Sequence, residues 1–244
     1  MSAALLEVNH LTKRFGGVTA VNDCSFDVEE GTITALIGPN GSGKTTAFNM
    51  ITGYLKADAG EIRFRGETIT RPRPADLYRR GLSRTFQQAR IFPDLSVEEN
   101  LVVAAGYSWG QLFGRRVSAE DKQRAREMLA EFRLEPLLEL PAADLSYGQR
   151  KLLEFAAVLM SNPRLVLLDE PTAGVNPVMI DAMERHIRER HAAGVTFLIV
   201  EHDMQLVMRL CDPVIVLDQG APIAFGTPAQ VQSNADVLEA YLGG

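Results

Sequence analysis

The chain has 244 residues, a hydrophobic fraction of 46% and a formal net charge of −6 at pH 7, which suits one large α/β domain or two small ones. Acidic and basic residues are interspersed, so the charge does not indicate a basic surface that binds nucleic acid. The two cysteines, Cys24 and Cys211, lie far apart and in no metal-ligand spacing, which favours reduced thiols in a cytosolic protein.

The first third of the chain is predicted to consist mostly of strands. Short, partly alternating runs at Leu5–Lys13, Thr19–Val28 and Glu61–Arg65 are bounded by Gly or charged turns. The apolar run Thr32–Ile37 is typical of a buried central strand. The segment Thr46–Tyr54, a little further along, is compatible with a helix.

The middle of the chain is predicted to be helical. Each helix begins at a serine followed three residues later by an acid or amide, the pattern of a capping box. The segment Tyr107–Arg116, which holds the only tryptophan, is predicted to be a loop, and no role is assigned to it. The three helices run from Ser96 to about Gly106, from Ser118 to about Leu134, and from Ser146 to Met160.

The last third alternates strands with helices. Leu165–Leu168 and Thr196–Val200 are fully apolar strands, and Pro177–Ala193 is a helix between them, with proline at its start and glycine just past its end. Strand–helix–strand units of this size predict a parallel sheet covered by helices. After Pro213 the tail adds two short strands and a final helix, Ala235–Leu242.

Membrane and export signals are missing from the sequence. The start, MSAALLEVNHLTKRF, lacks the long apolar segment of a signal peptide, and no run of 18 apolar residues occurs. We therefore expect the lone chain to purify as a soluble protein. Any association with a membrane must then be made through a partner.

The strongest local motif is Gly38-Pro-Asn-Gly-Ser-Gly-Lys44-Thr45, which fits the phosphate-binding P-loop pattern. Glycines allow a tight turn whose N–H groups converge on a phosphate, and the next helix adds partial positive charge. Lys44 can reach the β- and γ-phosphates, and the Thr45 hydroxyl can ligate Mg²⁺. An ordinary Gly-rich turn is disfavoured because the motif joins a predicted strand to a helix-compatible run. The predicted nucleotide-binding residues here are Gly38, Pro39, Asn40, Gly41, Ser42, Gly43, Lys44, Thr45 and Thr46.

Two acids follow the apolar strand at Leu165–Leu168. Ligands of α/β sheets bind at the carboxyl ends of strands. Asp169 is therefore predicted to hold Mg²⁺ through water, and Glu170 to be the general base for the water that attacks the γ-phosphate. Strands often stop at charged turns, so these acids alone leave the question open; with the P-loop, the functional interpretation is favoured.

The pentapeptide Leu145-Ser146-Tyr147-Gly148-Gln149 combines a predicted helix cap with a glycine at a positive helix end, which suits an anion. It resembles Leu-Ser-Gly-Gly-Gln, the signature that separates ATP-binding cassette (ABC) proteins from other P-loop NTPases. Tyr147 stands where glycine is usual. The resemblance implies that Ser146, Gly148 and Gln149 bind the γ-phosphate of the ATP held by another subunit.

The resemblance covers nearly the whole chain and implies further roles. Phe15 matches the aromatic that stacks on adenine, with a core Phe as the alternative. Gln87 matches the glutamine that touches Mg²⁺ and the attacking water and starts the segment that meets the permease, with a surface Gln as the alternative. His202 matches the switch histidine at the γ-phosphate, although a lone His after a strand is usually structural. Ala173–Asn176 matches a dimer-contacting loop, in which Asn176 replaces the Asp of many members.

The fold that the resemblance implies is the ABC nucleotide-binding domain. One domain spans residues 1–244, with a P-loop α/β core, an antiparallel β portion near the N-terminus, and a helical subdomain of about residues 94–162 that bears the signature. The resemblance also implies an ATPase with catalytic residues Glu170, His202, Lys44 and Gln87. It would bind MgATP in a head-to-tail dimer, as a homodimer or a paralogous heterodimer, beneath permease subunits at the cytoplasmic face of the inner membrane.

Finer details resemble the ATP-binding subunits of branched-chain amino acid importers. The details are the pentapeptide ending at Gln149, the runs Asp169–Asn176 and Glu201–Met208, and the ending from Gly226 to Gly243. Importers of urea or other small amides look similar, and an exporter or lipopolysaccharide-extraction ATPase is a further alternative. A non-transport ABC protein acting on nucleic acid or ribosomes is disfavoured by the single cassette, the lack of heptads and the isolated cysteines. A small P-loop kinase or GTPase lacks the signature. The cargo is selected by the permease and a solute-binding protein.

Overall fold

The computed structural model describes residues 4–70, 72–105 and 118–242. The strands and then the helices are given below, each set in chain order. The strands are β1 (Ala4–Phe15), β2 (Val18–Glu29), β3 (Ile33–Ile37), β4 (Ala59–Phe64), β5 (Glu67–Thr68), β6 (Leu82–Arg84), β7 (Leu165–Asp169), β8 (Thr196–Val200), β9 (Val214–Asp218) and β10 (Ala221–Gly226). The helices are α1 (Lys44–Ile51), α2 (Pro74–Arg80), α3 (Val97–Ala104), α4 (Ala119–Glu131), α5 (Tyr147–Leu159), α6 (Pro177–Ala192), α7 (Met204–Leu210), α8 (Pro228–Gln232) and α9 (Ala235–Leu242).

The larger sheet has the strand order β10-β9-β3-β8-β7-β6, and each neighbouring pair is parallel except β10–β9. Its central strands β3, β7 and β8 are largely apolar and are buried along their whole length because both faces of the sheet are covered. In β7, Val166 and Leu168 join one hydrophobic core, while Leu165 and Leu167 join another on the opposite face. The predicted parallel sheet with packed helices is confirmed. Its carboxyl edge brings the P-loop, Asp169 and the end of β8 to one side of the molecule.

The smaller sheet is antiparallel, with the order β2-β1-β4-β5. One face of this sheet is buried: Leu6 and Val28 lie in the same core as Phe48 and Ile51 of α1. Helix α1 therefore packs beside both sheets, and the P-loop that precedes it lies where the two sheets meet.

A run of helices occupies the chain between β6 and β7. Leu101 of α3, Leu129 of α4 and Phe155 of α5 share one core with Phe197 of the larger sheet. The three predicted serine caps are all found, with Ser96 and Ser146 in complete capping boxes and Ser118 accepting from the Asp121 N–H at 3.0 Å. The loop predicted at residues 107–116 lies outside the described residues.

Several elements differ from the sequence-based expectation. Helix α1 begins at Lys44, two residues earlier than predicted, because Gly43 has φ of 98° and turns the chain directly into the helix. The first third also contains α2, which starts at Pro74 and stops at Gly81, a proline-first and glycine-last arrangement that the prediction missed. Other unpredicted elements are β5, β6, α7 and α8.

The state of the two cysteines bears on the compartment in which the protein folds, and the character of its helices bears on its relation to a membrane. Cys24 and Cys211 are both free and buried, and burial raises the pKa of each thiol to about 12. Within the ranges that the structure describes, no helix combines the length and apolar character needed to cross a bilayer.

Candidate functional site

The P-loop joins β3 to α1 and is pressed against neighbouring backbone. Gly38 has φ of 150°, and a Cβ there would lie 2.0 Å from the carbonyl oxygen of Leu217. Gly43 has φ of 98°, and a Cβ there would lie 2.4 Å from the carbonyl oxygen of Ala20. Both positions therefore require glycine for their conformation and for the close approach of the surrounding strands.

Lys44 is folded onto this loop. Its ammonium donates to the carbonyl oxygens of Gly38 at 2.8 Å and Pro39 at 2.9 Å, and to Ser42 Oγ at 3.3 Å. Burial lowers the pKa of Lys44, while the nearby carboxylates of Glu170 and Asp169 act in the opposite direction. The loop thus holds a cation beside two acids, at the N-terminus of α1.

Glu170 is the centre of a three-residue cluster. Its Oε2 accepts from Gln87 Nε2 at 2.9 Å, and its Oε1 lies 2.9 Å from His202 Nε2. The backbone supports this position, because Glu170 adopts φ of 48° and its N–H donates to the carbonyl oxygen of Val200 at 2.9 Å. Three residues that the sequence assigned separately by motif are therefore in direct contact.

Asp169 forms a buried ion pair that the sequence did not indicate. Its Oδ2 lies 2.6 Å from Arg84 Nη2, and both side chains are under 10% exposed. The same guanidinium donates to Asn49 Oδ1 at 2.7 Å and Thr52 Oγ1 at 2.9 Å. Arg84 ends β6, the short strand that was not predicted, so nothing in the sequence placed it beside Asp169.

Glu201, which was not predicted to belong to the site, positions the backbone at His202 through hydrogen bonds. Its Oε1 accepts from the N–H and the hydroxyl of Thr172, at 3.0 and 2.5 Å, and its Oε2 accepts from the N–H of His202 at 2.9 Å. Glu201 is buried. It therefore ties the end of β8 to the turn after β7, which keeps His202 next to Glu170.

The signature segment begins α5. Gln149 N–H donates to Ser146 Oγ at 3.3 Å, and Gln149 Oε1 accepts from the Ser146 N–H at 2.9 Å. A Cβ at Gly148 would lie 3.1 Å from Met179 Cγ, a tight but movable contact. The backbone at this helix start is thus shaped by its own cap and by α6.

Tyr147 and Asn176, the two departures from the usual pattern, both have local contacts. The Tyr147 ring covers Gly174, where a Cβ would come within 3.3 Å of it, and the Tyr147 hydroxyl is 3.5 Å from the carbonyl oxygen of Gln87. Asn176 caps α6 by accepting from the Met179 N–H at 3.0 Å. An Asp would serve equally well as this cap.

Phe15 lies at the end of β1 with 51% of its surface exposed. The core alternative for this residue is therefore wrong. Lys13 Nζ sits 5.5 Å from the ring centroid. The ring is available for stacking at the hairpin of β1 and β2, and the same hairpin reaches the P-loop through Ala20 and Gly43.

Comparison with known proteins agrees with these motifs. A family model described as ABC transporter matches residues 21–173, and one described as branched-chain amino acid ATP-binding cassette transporter matches residues 221–244. The high-affinity branched-chain amino acid transport ATP-binding protein BraF of Pseudomonas aeruginosa is 43% identical, with 100% of this chain and 99% of that protein covered. LivG of Salmonella typhimurium, described in the same words, is 41% identical over the same shares.

Solved structures are similar over the whole length. A nucleotide-free ATP-binding cassette from an ABC transporter superposes with a TM-score of 0.89 at 36% identity, covering 99% of this chain and 100% of the other. The ADP conformation of an ATP-binding cassette gives a TM-score of 0.88 at 36% identity, with both chains fully covered.

Proposed function

This chain belongs to the family of ABC transporter ATP-binding proteins, and from that membership we propose that it is the ATP-hydrolysing subunit of an importer for branched-chain amino acids. The assignment of ATP hydrolysis is supported above all by the contact of Glu170 with both Gln87 and His202, beside Lys44. The substrate class is supported by the names of BraF and LivG and by the match at residues 221–244.

The donor set suits MgATP. We assign Mg²⁺ to the Thr45 hydroxyl, the Gln87 amide and the Asp169 carboxylate, because hard oxygen ligands are the ones Mg²⁺ prefers. Gly38 and Gly43 let the loop turn tightly against the carbonyl oxygens of Leu217 and Ala20, and the N–H groups of such a tight loop can converge on a phosphate. Held by these residues, Mg²⁺ would supply positive charge that offsets the negative charge of the phosphates. Lys44 would exchange its bonds to the Gly38 and Pro39 carbonyls for bonds to the β- and γ-phosphates.

Glu170 is assigned as the general base. Gln87 donates to one of its carboxylate oxygens and His202 contacts the other, so the carboxylate cannot rotate freely. An oriented carboxylate at this place can accept the proton of the water that attacks the γ-phosphate. His202 would also contact the γ-phosphate, and Phe15 would stack on the adenine.

The complete site requires a second subunit. We assign Ser146, Gly148 and Gln149 to the γ-phosphate of ATP bound by the P-loop of the other copy, in a head-to-tail homodimer or paralogous heterodimer. Residues of about 94–162 would form the helical subdomain that carries this signature within one domain of residues 1–244. The dimer would sit at the cytoplasmic face of the membrane through permease subunits, which a solute-binding protein supplies with cargo.

The function is tested by transport in proteoliposomes. The chain is reconstituted with the permease and solute-binding protein encoded by neighbouring genes, with Glu170→Gln as the matched inactive control. We expect ATP-dependent uptake of leucine, isoleucine and valine, reduced about 10²–10⁴-fold in the control because a general base has been removed. Uptake of urea or another amide in place of these amino acids would contradict the substrate assignment, and ATP-independent uptake would contradict the role of the chain.

A further inference from the structure

Helix α5 connects two parts of the proposed mechanism. Its N-terminus carries Ser146, which we assign to ATP bound by the other subunit. Farther along the helix, Lys151 and Glu154 project from one face, because residues three apart are neighbours on a helix surface. Both residues are buried, with exposed fractions of 3% and 4%. Neither residue was singled out from the sequence.

Lys151 is hydrogen-bonded to the backbone of the segment that contains Gln87. Its ammonium donates to the carbonyl oxygens of Phe86 at 3.1 Å and Gln87 at 2.5 Å. Burial lowers the pKa of Lys151. A buried ammonium is unfavourable unless it is hydrogen-bonded, so these two carbonyls are the partners that make its position tolerable.

Glu154 holds the same segment by its N–H groups. Its Oε1 accepts from the backbone N–H of Phe86 at 3.1 Å and of Arg90 at 3.0 Å. Together the two side chains make four hydrogen bonds to the backbone of residues 86–90. We call this set of bonds from Lys151 and Glu154 the α5 clamp.

The segment held by the clamp carries the side chain that touches the general base. Gln87 Nε2 donates to Glu170 Oε2, while the carbonyl oxygen of the same residue accepts from Lys151. Tyr147, the residue after Ser146, places its hydroxyl 3.5 Å from that carbonyl oxygen. A shift of α5 would therefore move the Gln87 backbone and change the contact between its amide and Glu170.

We propose that Lys151 and Glu154 are positioning residues for ATP hydrolysis, which make the placement of Gln87 in one subunit depend on the helix that binds ATP of the other. The inference rests on the proposed function, because it requires Ser146 to meet nucleotide across the dimer. It adds a connection within each subunit between the two ATP sites. Lys151 and Glu154 are not assigned to contact with the reactants, and the clamp acts only through Gln87 and its contact with Glu170.

The test compares Lys151→Met, which keeps length but removes the donor, with Lys151→Arg, which restores one. Lys122→Met, at an exposed lysine of α4, is the matched control for the loss of a positive charge. Partners that orient a metal ligand typically contribute about 10–100-fold in activity. We expect a loss of that size in kcat for Lys151→Met, with monomer ATP affinity within about 3-fold of wild type. Lys151→Arg should recover much of kcat, and Lys122→Met should lose none.

A second pair keeps the test decisive if Lys151→Met does not fold. Glu154→Gln retains an oxygen that can accept both N–H groups, whereas Glu154→Leu does not. We therefore expect a lower kcat for Glu154→Leu than for Glu154→Gln, just as Lys151→Met should have a lower kcat than Lys151→Arg. The two Glu154 variants should have equal ATP affinity. Equal kcat in the members of both pairs, or a loss of ATP affinity that matches the loss of kcat, would overturn the inference.

The same variants in the Glu170→Gln background separate this inference from the proposed function. If the Glu170→Gln parent dimerises with ATP and Lys151→Met in that background does too, while Lys151→Met alone has lost kcat, the clamp is supported. If the parent dimerises and Lys151→Met keeps wild-type kcat, only the clamp is wrong. A parent that stays monomeric with ATP overturns both.

Discussion

The charged side chains beneath the site are buried, and each is held by specific partners. Arg84 is paired with Asp169, and Lys151 is bonded to two carbonyls. Glu154 has the less complete environment, because its Oε2 has no hydrogen-bond partner among the described residues. Its burial raises the pKa of the carboxyl to about 7, against the opposing effects of the Arg90 and Phe86 N–H groups and the Lys151 and Arg90 charges.

This raised pKa predicts a pH-dependent stability. Between the ordinary value of 4.5 and about 7 the folded protein binds more protons than the unfolded chain, so the free energy of unfolding falls as pH rises through this window. The loss attributable to Glu154 is at most roughly 3 kcal/mol. Urea unfolding of wild type and Glu154→Gln between about pH 5 and pH 8 should show the wild type losing stability relative to the variant. Parallel pH profiles would contradict the raised pKa.

At this scale the sequence identified the residues that belong to contiguous motifs. The P-loop, Asp169 and Glu170 could be predicted because they belong to short sequence motifs that are typical of nucleotide binding and hydrolysis. Arg84 and Glu201 could not be predicted in this way, since an Arg at the end of a short strand and a Glu just after a strand have no sequence pattern that separates them from surface charges. Their partners Asp169 and Thr172 lie at the end of β7 and in the turn after it, far away in the sequence, so only the folded structure shows them.

At the scale of elements, helices α3 and α5 begin with the same kind of capping box, but we assign them different roles. Ser96 accepts from the Glu99 N–H at 3.1 Å, and Ser146 accepts from the Gln149 N–H at 3.3 Å, each in a reciprocal capping box. The cap of α3 has a structural role only, whereas we assign the cap of α5 to the nucleotide as well.

The two serines therefore form a matched pair of substitutions. Ser96→Ala and Ser146→Ala should each lower the free energy of unfolding by about 1 kcal/mol, because each removes an N-cap. Only Ser146→Ala should also lower ATPase activity, by about 10–100-fold, since a hydrogen bond to a charged group is lost. Urea unfolding and steady-state ATPase assays check both effects. If ATPase activity falls equally in both variants or in neither, Ser146 is only a helix cap.

The elements that the sequence predicted are those with a long repeating pattern or a strong cap. α3, α4 and α5 are N-capped by the predicted serines, and β7 and β8 are largely apolar and fully buried. The unpredicted β5 and β6 have two and three residues, which is too short for any period to be read. Such strands form because a neighbouring strand offers hydrogen bonds, as β7 does for β6.

At the scale of the whole molecule, one chain holds both halves of the proposed ATP site but in separate elements. The P-loop lies between β3 and α1, at the carboxyl edge of the larger sheet, and Ser146 lies at the start of α5. The Ser146 side chain is used in the cap of its own helix. A second copy placed head to tail would bring one chain's Ser146 to the other's P-loop, which is the central claim of the mechanism.

The most direct test is the molar mass of Glu170→Gln with and without an added Ser146→Arg, measured by light scattering on a sizing column. With ATP and Mg²⁺ the Glu170→Gln chain, alone or with a paralogous ATPase subunit, should have twice the mass of a 26.8 kDa monomer, and it should dissociate with ADP. Adding Ser146→Arg should abolish this dimer and leave the ATP affinity of the monomer unchanged, because the arginine occupies the place of the partner's phosphate. A monomer ATP affinity weakened by about ten-fold or more, equivalent to 1.4 kcal/mol, would show that Ser146 serves its own subunit's site and would contradict the shared site.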